Sequence, residues 1–224
     1  MNNKLYKNDK ELFDLMENKL YTAVVSDVMD ELGYRNQALR HDIRPLKENF
    51  VIAGRSKTIL AVDVYEIPDN PYEKEIESID SVKEDEVVVA CTNNSIRNGF
   101  WGELLSTASK ARGARGAIID GFTRDVKKIL ELDFPVFATG MKPVDSKGRG
   151  FVIDYDCPVK CGDITVKPGD VIFADYDGVV CIPKEIVDKV IPKAIDKVER
   201  EDKSREELKN GAFLRDVYEK YGAL

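Results

Sequence analysis

The chain has 224 residues, of which 43% are hydrophobic and 33% charged, and its net charge is -7. This is the composition of a globular chain long enough to build a sizeable core, not of a disordered one. The negative charge argues against sequence-independent nucleic-acid binding and against an anionic membrane surface, both of which need cationic faces. No apolar run approaches the roughly 18 residues of a membrane span. The first nineteen residues, MNNKLYKNDKELFDLMENK, hold no uninterrupted apolar core and so no signal peptide. A cytoplasmic protein with reduced thiols is expected. Cys157 and Cys161 stand in a CxxxC, an uncommon zinc spacing, and His41 is the chain's single histidine. The four cysteines therefore read as small structural residues, with Cys91 and Cys181 ending apolar runs as buried strand residues do.

A first helix is predicted over 9–19, capped by Asp9, with Leu12, Phe13, Leu15 and Met16 on its apolar side. A second runs from Ala23 to Leu32 with Thr22 as cap and Gly33 as stop. Residues 34–49 are a polar connection, and His41 in it reads as solvated. Phe50 to Tyr65 carries the first strand signal. Asn70-Pro71 opens a helix, Asn as cap and Pro in the first turn. Glu86 to Cys91, EVVVAC, is a β-branched run that predicts a strand covered on both faces. Thr92 to Gly99 reads as a polar loop. Beyond Phe137, Gly140–Gly150 is a loop and Phe151–Pro183 a series of short strands with turns at Pro168-Gly169 and Asp177-Gly178. Ile186, Val187, Val190, Ile191, Ala194, Ile195 and Val198 form one apolar helical stripe, with a kink expected at Pro192. Ser204-Arg-Glu-Glu207 fits a capping box. A last helix runs from Ala212 to Tyr221 and ends at Gly222. The whole predicts a single α/β domain with a βαβαβ portion over 86–138, a β-rich portion over 151–182, a core spanning about 20–200 and a helical extension over 201–224.

The chemistry concentrates in 100–137, FWGELLSTASKARGARGAIIDGFTRDVKKILELDFPVF. Gly113-Ala-Arg-Gly116 is not a phosphate loop, because its glycines follow a helix and open a strand, the reverse of the required order. Glu103 lies in the first turn of one helix, and Arg124-Asp125 lie at the start of the next. Taken singly, Asp125 reads as a helix-start acid and Arg124 as a surface ion-pair partner. Together they change the picture. Twenty residues separate Glu103 from Arg124, about one helix, turn and strand. Two successive strand–helix junctions then present two carboxylates, which suit a hard cation such as Mg²⁺ or Mn²⁺, and a guanidinium fork, which suits a substrate carboxylate. After Gly102, the N–H groups of Leu104 and Leu105 open a helix and can add anion contacts. An α-keto acid needs these three things.

The pattern WGELL…A..ARG..G.IIDG..RDV…L.FPVFA.G, followed by CGDITVKPGDVIFADYDGVVCIP, resembles the RraA-like family, over about residues 20–200. That family includes the 4-hydroxy-4-methyl-2-oxoglutarate / 4-carboxy-4-hydroxy-2-oxoadipate aldolases. The resemblance implies an α/β sandwich like the phosphohistidine swivelling domain, with flanking terminal helices, assembled as homotrimers or trimer pairs. It implies that Asp125 holds Mg²⁺ (or Mn²⁺) partly through water, that Arg124 grips the pyruvyl group, and that Glu103 positions a metal-bound water beside Gly102, Leu104 and Leu105. An acid from a neighbouring subunit also reaches the site in the family; Glu199 is the candidate here. The characterised aldolases carry Asp where this chain has Glu103. The ribonuclease-regulator branch keeps Arg-Asp but lacks the acid, so Glu103 favours the enzyme branch. The expected function is metal-dependent retro-aldol cleavage of a 4-hydroxy-2-oxo (di)carboxylic acid to pyruvate and an oxo acid, with oxaloacetate decarboxylation as a side activity. The alternatives are a non-catalytic regulator of a ribonuclease or other enzyme, and a sugar-acid lyase on the same metal site.

Overall fold

The computed structural model describes residues 5–222. In chain order the elements are α1 (Asp9–Lys19), α2 (Thr22–Glu31), β1 (Arg44–Pro45), β2 (Ile52–Asp63), α3 (Glu73–Asp80), β3 (Glu86–Trp101), α4 (Glu103–Ala111), β4 (Gly116–Thr123), α5 (Val126–Leu132) and β5 (Val136–Met141). There follow β6 (Gly150–Tyr155), β7 (Val159–Cys161), β8 (Ile164–Val166), β9 (Val171–Asp175), β10 (Gly178–Ile182), α6 (Val187–Lys209) and α7 (Leu214–Tyr221).

One sheet runs in the order β1-β5-β4-β3-β2-β9-β10, with β6 also on β2, and β7-β8 form a separate hairpin. The pairs β2–β3, β3–β4 and β4–β5 are parallel, and the pairs on the flanks are antiparallel. The parallel strands are joined by α3, α4 and α5 in turn. The starts of all three helices therefore gather at one end of the sheet, beyond the carboxyl ends of β2, β3 and β4.

The β-branched run behaves as its sequence demands. Side chains alternate along a strand. Val87, Val89 and Cys91 pack with Ile118, Phe137 and Ile172 on one face, while Val88 and Ala90 pack with Ile79, Trp101 and Ile129 on the other. A third cluster seats α1, α2 and α6 on β9 and β10, and the stripe from Ile186 to Ala194 is buried in it. Cys91, Cys161 and Cys181 are buried and all four cysteines are free. Burial pushes the Cys181 and Cys161 thiols up, away from thiolate. His41 is exposed in a turn. Gly33 and Gly113 stop α2 and α4 with φ of +88° and +90°. Among the described residues, no helix is long and apolar enough to cross a membrane.

Several boundaries differ from expectation. Asn8, not Asp9, caps α1, its side chain accepting from the Glu11 N–H at 2.8 Å, which frees Asp9 to pair with Arg55. Thr22 is the first residue of α2 rather than its cap, because its hydroxyl donates to Asp175. Asn70 has φ of 51° and accepts through its backbone from Glu73, so α3 starts later than Asn70-Pro71 suggested. Thr92–Gly99 is not a loop. It continues β3 to Trp101 through three shifts of register against β4, with Asn93 and Asn94 left-handed. Polar Asn residues tolerate that conformation, and bulges bend a strand without ending it. The capping box at Ser204 is absent, since α6 runs unbroken from Val187 through Pro192 to Lys209. Ion pairs Arg200–Asp196, Arg205–Asp202 and Lys209–Glu206 hold the charged segment helical, and Ser204 faces inward.

Candidate functional site

The carboxyl ends of β3 and β4 lie side by side. The Arg124 N–H donates to the Trp101 carbonyl at 2.8 Å, and the Thr123 hydroxyl donates to the same oxygen at 2.9 Å. This lock sets where α4 and α5 begin. Gly102 caps α4 without a side chain, so the N–H groups that open the helix find no acceptor within it. Asp125 caps α5 in the left-handed region, φ 57° and ψ 28°, yet its carboxylate makes no cap to its own helix. It points instead to α4, where its Oδ2 accepts from the Glu103 N–H at 3.3 Å. Asp, like Asn, tolerates the left-handed region, and here that conformation turns the carboxylate away from its own helix toward the neighbouring one.

A cavity of about 350 Å³ opens here. It is lined by Arg124, Asp125 and Gly102, by Leu104, Leu105 and Phe100, and by Tyr72, which caps α3, with Glu75 and Ile76 of that helix. Asp145, from the loop after β5, also lines it. Arg124 sits between two acids, its Nη1 3.0 Å from Asp145 Oδ1 and its Nε 3.6 Å from Asp125 Oδ2. Its Nη2 donates no hydrogen bond among the described residues. The Tyr72 hydroxyl donates to Asp145 Oδ2 at 2.6 Å. That bond and burial push the Tyr72 phenol up to about 12. Burial works to raise the Asp145 carboxyl, but the Tyr72 and Lys147 donors and the Arg124 charge outweigh it, and the carboxyl lies below its ordinary range. Glu75 moves the other way. Burial first, and the nearby Asp145 charge second, push it up to about 7 against the pull of Arg124.

Of the residues expected from sequence, the structure brings together Arg124, Asp125, Gly102, Leu104 and Leu105. Glu103 departs from the expectation of a shared pocket. Its backbone meets Asp125, but its carboxylate turns along α4 to accept from the Thr107 hydroxyl at 2.8 Å and does not line the cavity. The nearby hydroxyl one turn on, at the i+4 position, offers the closer partner. Glu199 lines a different cavity with Tyr21 and Val198. The Thr92–Gly99 segment does not line the cavity either; of β3, Phe100 does. Tyr72, Glu75 and Asp145 were missed. The rule that singled out Glu103, an acid in a helix start beyond a strand, applies equally to α3 and would have found Glu75.

Gly102 tolerates no side chain without moving the site. A Cβ there would lie 2.7 Å from Asp125 Oδ2 and 3.3 Å from Arg124 Nε. Its backbone is extended (φ -143°), so Gly102→Ala meets a steric obstacle only. The expected result is an Asp125 carboxylate and Arg124 guanidinium pushed out of place, with the melting temperature little changed. A crystal structure of the variant beside a thermal melt checks this.

Parallel strands whose carboxyl ends present helix starts, an arginine and acids to a cavity define an α/β protein with a ligand site at the place such sheets favour. The chain belongs to the RraA-like family: that family's model, described as Aldolase/RraA, matches residues 22–181. A protein of Halalkalibacterium halodurans named "Putative 4-hydroxy-4-methyl-2-oxoglutarate aldolase" is 29% identical over 185 residues, 83% of this chain and 82% of that one. Protein DlpA of Legionella pneumophila is 30% identical over 200 residues, 89% of this chain but 32% of DlpA, so the chain spans a minor part of that relative. Among solved structures, RraAS2 of Streptomyces coelicolor, titled an unusual member of the RNase ES inhibitor RraA protein family, superposes with a TM-score of 0.81 at 26% identity, covering 90% of this chain and all of that one.

Proposed function

We propose that this protein is a lyase that cleaves a 4-hydroxy-2-oxo (di)carboxylic acid to pyruvate and an oxo acid, with a divalent cation as cofactor and oxaloacetate decarboxylation as a side activity. The observation that carries the reading is Arg124 in the cavity lining, with Nη2 making no hydrogen bond among the described residues, beside the N–H groups that open α4 and the Asp125 carboxylate. The fork suits the substrate's 1-carboxylate, and Leu104 and Leu105 N–H groups suit oxygen that gains negative charge during C–C scission. The name of the Halalkalibacterium relative supports the same class.

The donor set fits a hard, mostly hydrated cation. Among the described residues no three His, Cys, Asp or Glu side chains come together as a metal site, which speaks against a closed protein cage. Mg²⁺, however, is commonly held through one or two carboxylates plus water and substrate oxygens. Asp125, whose side chain is 45% exposed, is the carboxylate in place for it; Glu103 would join only by leaving Thr107. When bound, the cation polarises the 2-oxo group as a Lewis acid. Arg124 fixes the carboxylate end, α4 faces the developing charge, and Leu105 and Phe100 thin out water around the bond that breaks. Water near the acids accepts the 4-hydroxyl proton. No lysine lines the cavity, so Schiff-base chemistry has no candidate there.

A panel of 2-oxo acids with Mg²⁺ and coupled pyruvate detection tests this. Turnover is expected with at least one 4-hydroxy-2-oxo acid, abolished by EDTA and restored by Mg²⁺. Full activity in EDTA would contradict the cofactor. The homotrimer or hexamer expected from the resemblance is part of the same proposal. Leu104 and Ile76 at the cavity rim, 76% and 56% exposed, support a covering partner. The likeness to RraAS2 favours a second reading, a ribonuclease-binding regulator, for which binding to a ribonuclease with no turnover across the panel is the sign.

A further inference from the structure

Four acids stand near the cavity, and three are committed. Asp125 accepts from the Glu103 N–H and faces Arg124. Asp145 accepts from Tyr72 and the Lys147 N–H and pairs with Arg124. Glu103 accepts from Thr107, away from the cavity. Glu75 alone lines the cavity with a carboxyl that has no hydrogen-bond partner among the described residues. It stands on α3 and shares the cavity lining with Arg124 and Asp125. The charged groups acting on it are Asp145, which favours its neutral form, and Arg124, which opposes that; Tyr72 and Asp125 are the other titratable groups of the lining, to which α4 and β3 add Leu104, Leu105 and Phe100. A carboxyl so placed is protonated in mildly acid solution, ionises near neutrality and can still exchange with water through the cavity mouth.

Resting on the 2-oxo acid reading of the cavity, we propose that Glu75 is the catalytic acid that protonates C3 of the three-carbon fragment as pyruvate forms. The steps balance. The 4-hydroxyl gives its proton to water, and the C3–C4 bond breaks as the C4 carbonyl forms. The released pair becomes the C2–C3 double bond while the 2-oxygen gains negative charge. When that charge returns, C3 takes the Glu75 proton and becomes the methyl group, and the Glu75 carboxylate regains a proton from solvent. In the reverse sense, the Glu75 carboxylate removes a methyl proton from bound pyruvate.

The two directions need opposite forms of Glu75. Its folded pKa is raised from the ordinary 4.5 to about 7. The acid form is full below that value and lost as pH rises through it, so cleavage should fall on the alkaline side while exchange of pyruvate methyl protons should rise there. The test is ¹H NMR of pyruvate in D₂O with wild type, Glu75→Gln and Glu75→Asp, each with Mg²⁺, from pH 5.5 to 8.5, beside pyruvate release from the active panel substrate. Wild type is expected to exchange the methyl protons. Glu75→Gln should slow exchange and cleavage by about 10²-fold or more, the scale of a lost general acid, and Glu75→Asp should retain part of both. Glu75→Gln that exchanges and cleaves at the wild-type rate would overturn the role of Glu75 and leave the lyase reading standing. No exchange by wild type would also overturn it. Exchange by wild type that Glu75→Gln loses, with no cleavage of any 4-hydroxy-2-oxo acid, would uphold Glu75 and overturn the aldol reading.

Discussion

Arg124→Ala is expected to lower kcat/KM for pyruvate release by about 10³-fold and to leave stability almost unchanged. The two effects separate because of where the side chain lies. Arg124 is 34% exposed and its ion pairs with Asp125 and Asp145 are solvent-reached, so their contribution to folding is about 0–1 kcal/mol. Asp145 keeps Tyr72 and the Lys147 N–H when the guanidinium is gone. The substrate carboxylate, by contrast, would lose its one cationic partner in the cavity lining, and loss of a charged donor to the reacting fragment costs about 3–4 kcal/mol of transition-state binding. Arg124→Lys is expected to rescue little, because an ammonium cannot replace a planar fork. Kinetics of both variants beside thermal melts check the pair. A fall in stability matching the fall in rate would show that Arg124 holds the fold rather than the substrate.

Asp120→Ala is expected to have the largest effect on stability. Asp120 lies within β4, three residues before the strand ends at the site, and its side chain is 3% exposed. Its Oδ1 accepts from Arg40 Nη2 at 2.7 Å and its Oδ2 from the Gly162 N–H at 3.2 Å. One carboxylate thereby ties three distant segments: the connection before β1, strand β4 and the turn of the β7–β8 hairpin. Alanine leaves Arg40 with Asp42 alone, in a half-exposed pair, and leaves a buried N–H without an acceptor. Breaking a buried pair from one side costs about 3–5 kcal/mol, and the retained Asp42 places this case at the lower end. Urea denaturation should show a shifted midpoint with an unchanged slope. Asp120→Asn, which keeps an acceptor for Gly162, should lose less.

What sequence could reveal follows from the range of the interactions involved. The burial of Val87 to Cys91 on both faces, the helix stops at Gly33 and Gly113 and the apolar stripe from Ile186 are set by neighbours a few residues apart, and all could be read. So could the placement of Arg124 and Asp125 beyond a strand, because it follows from element order. The direction of a side chain could not. Glu103 and Asp125 both start helices, yet one turns back on its own helix and the other reaches to its neighbour's. The Thr92–Gly99 segment looked like a loop because Asn-rich polar sequence also suits a bulged strand, and only pairing with β4 decides between them. Arg40 with Asp120, and Tyr72 with Asp145, join residues 80 and 73 apart, beyond any local pattern. The capping box at Ser204 matched a rule whose condition, a chain break before the helix, was missing.

The most direct test of the central proposal is a crystal structure with Mg²⁺ and oxalate, a planar mimic of the pyruvate enolate. Oxalate is expected in the cavity, one carboxylate on the Arg124 guanidinium and its other end toward the N-terminus of α4, with the cation beside Asp125. Oxalate absent from that place at saturating concentration, or seated instead in the cavity between α2 and α6 formed by Tyr21, Val24 and Leu208, would contradict it.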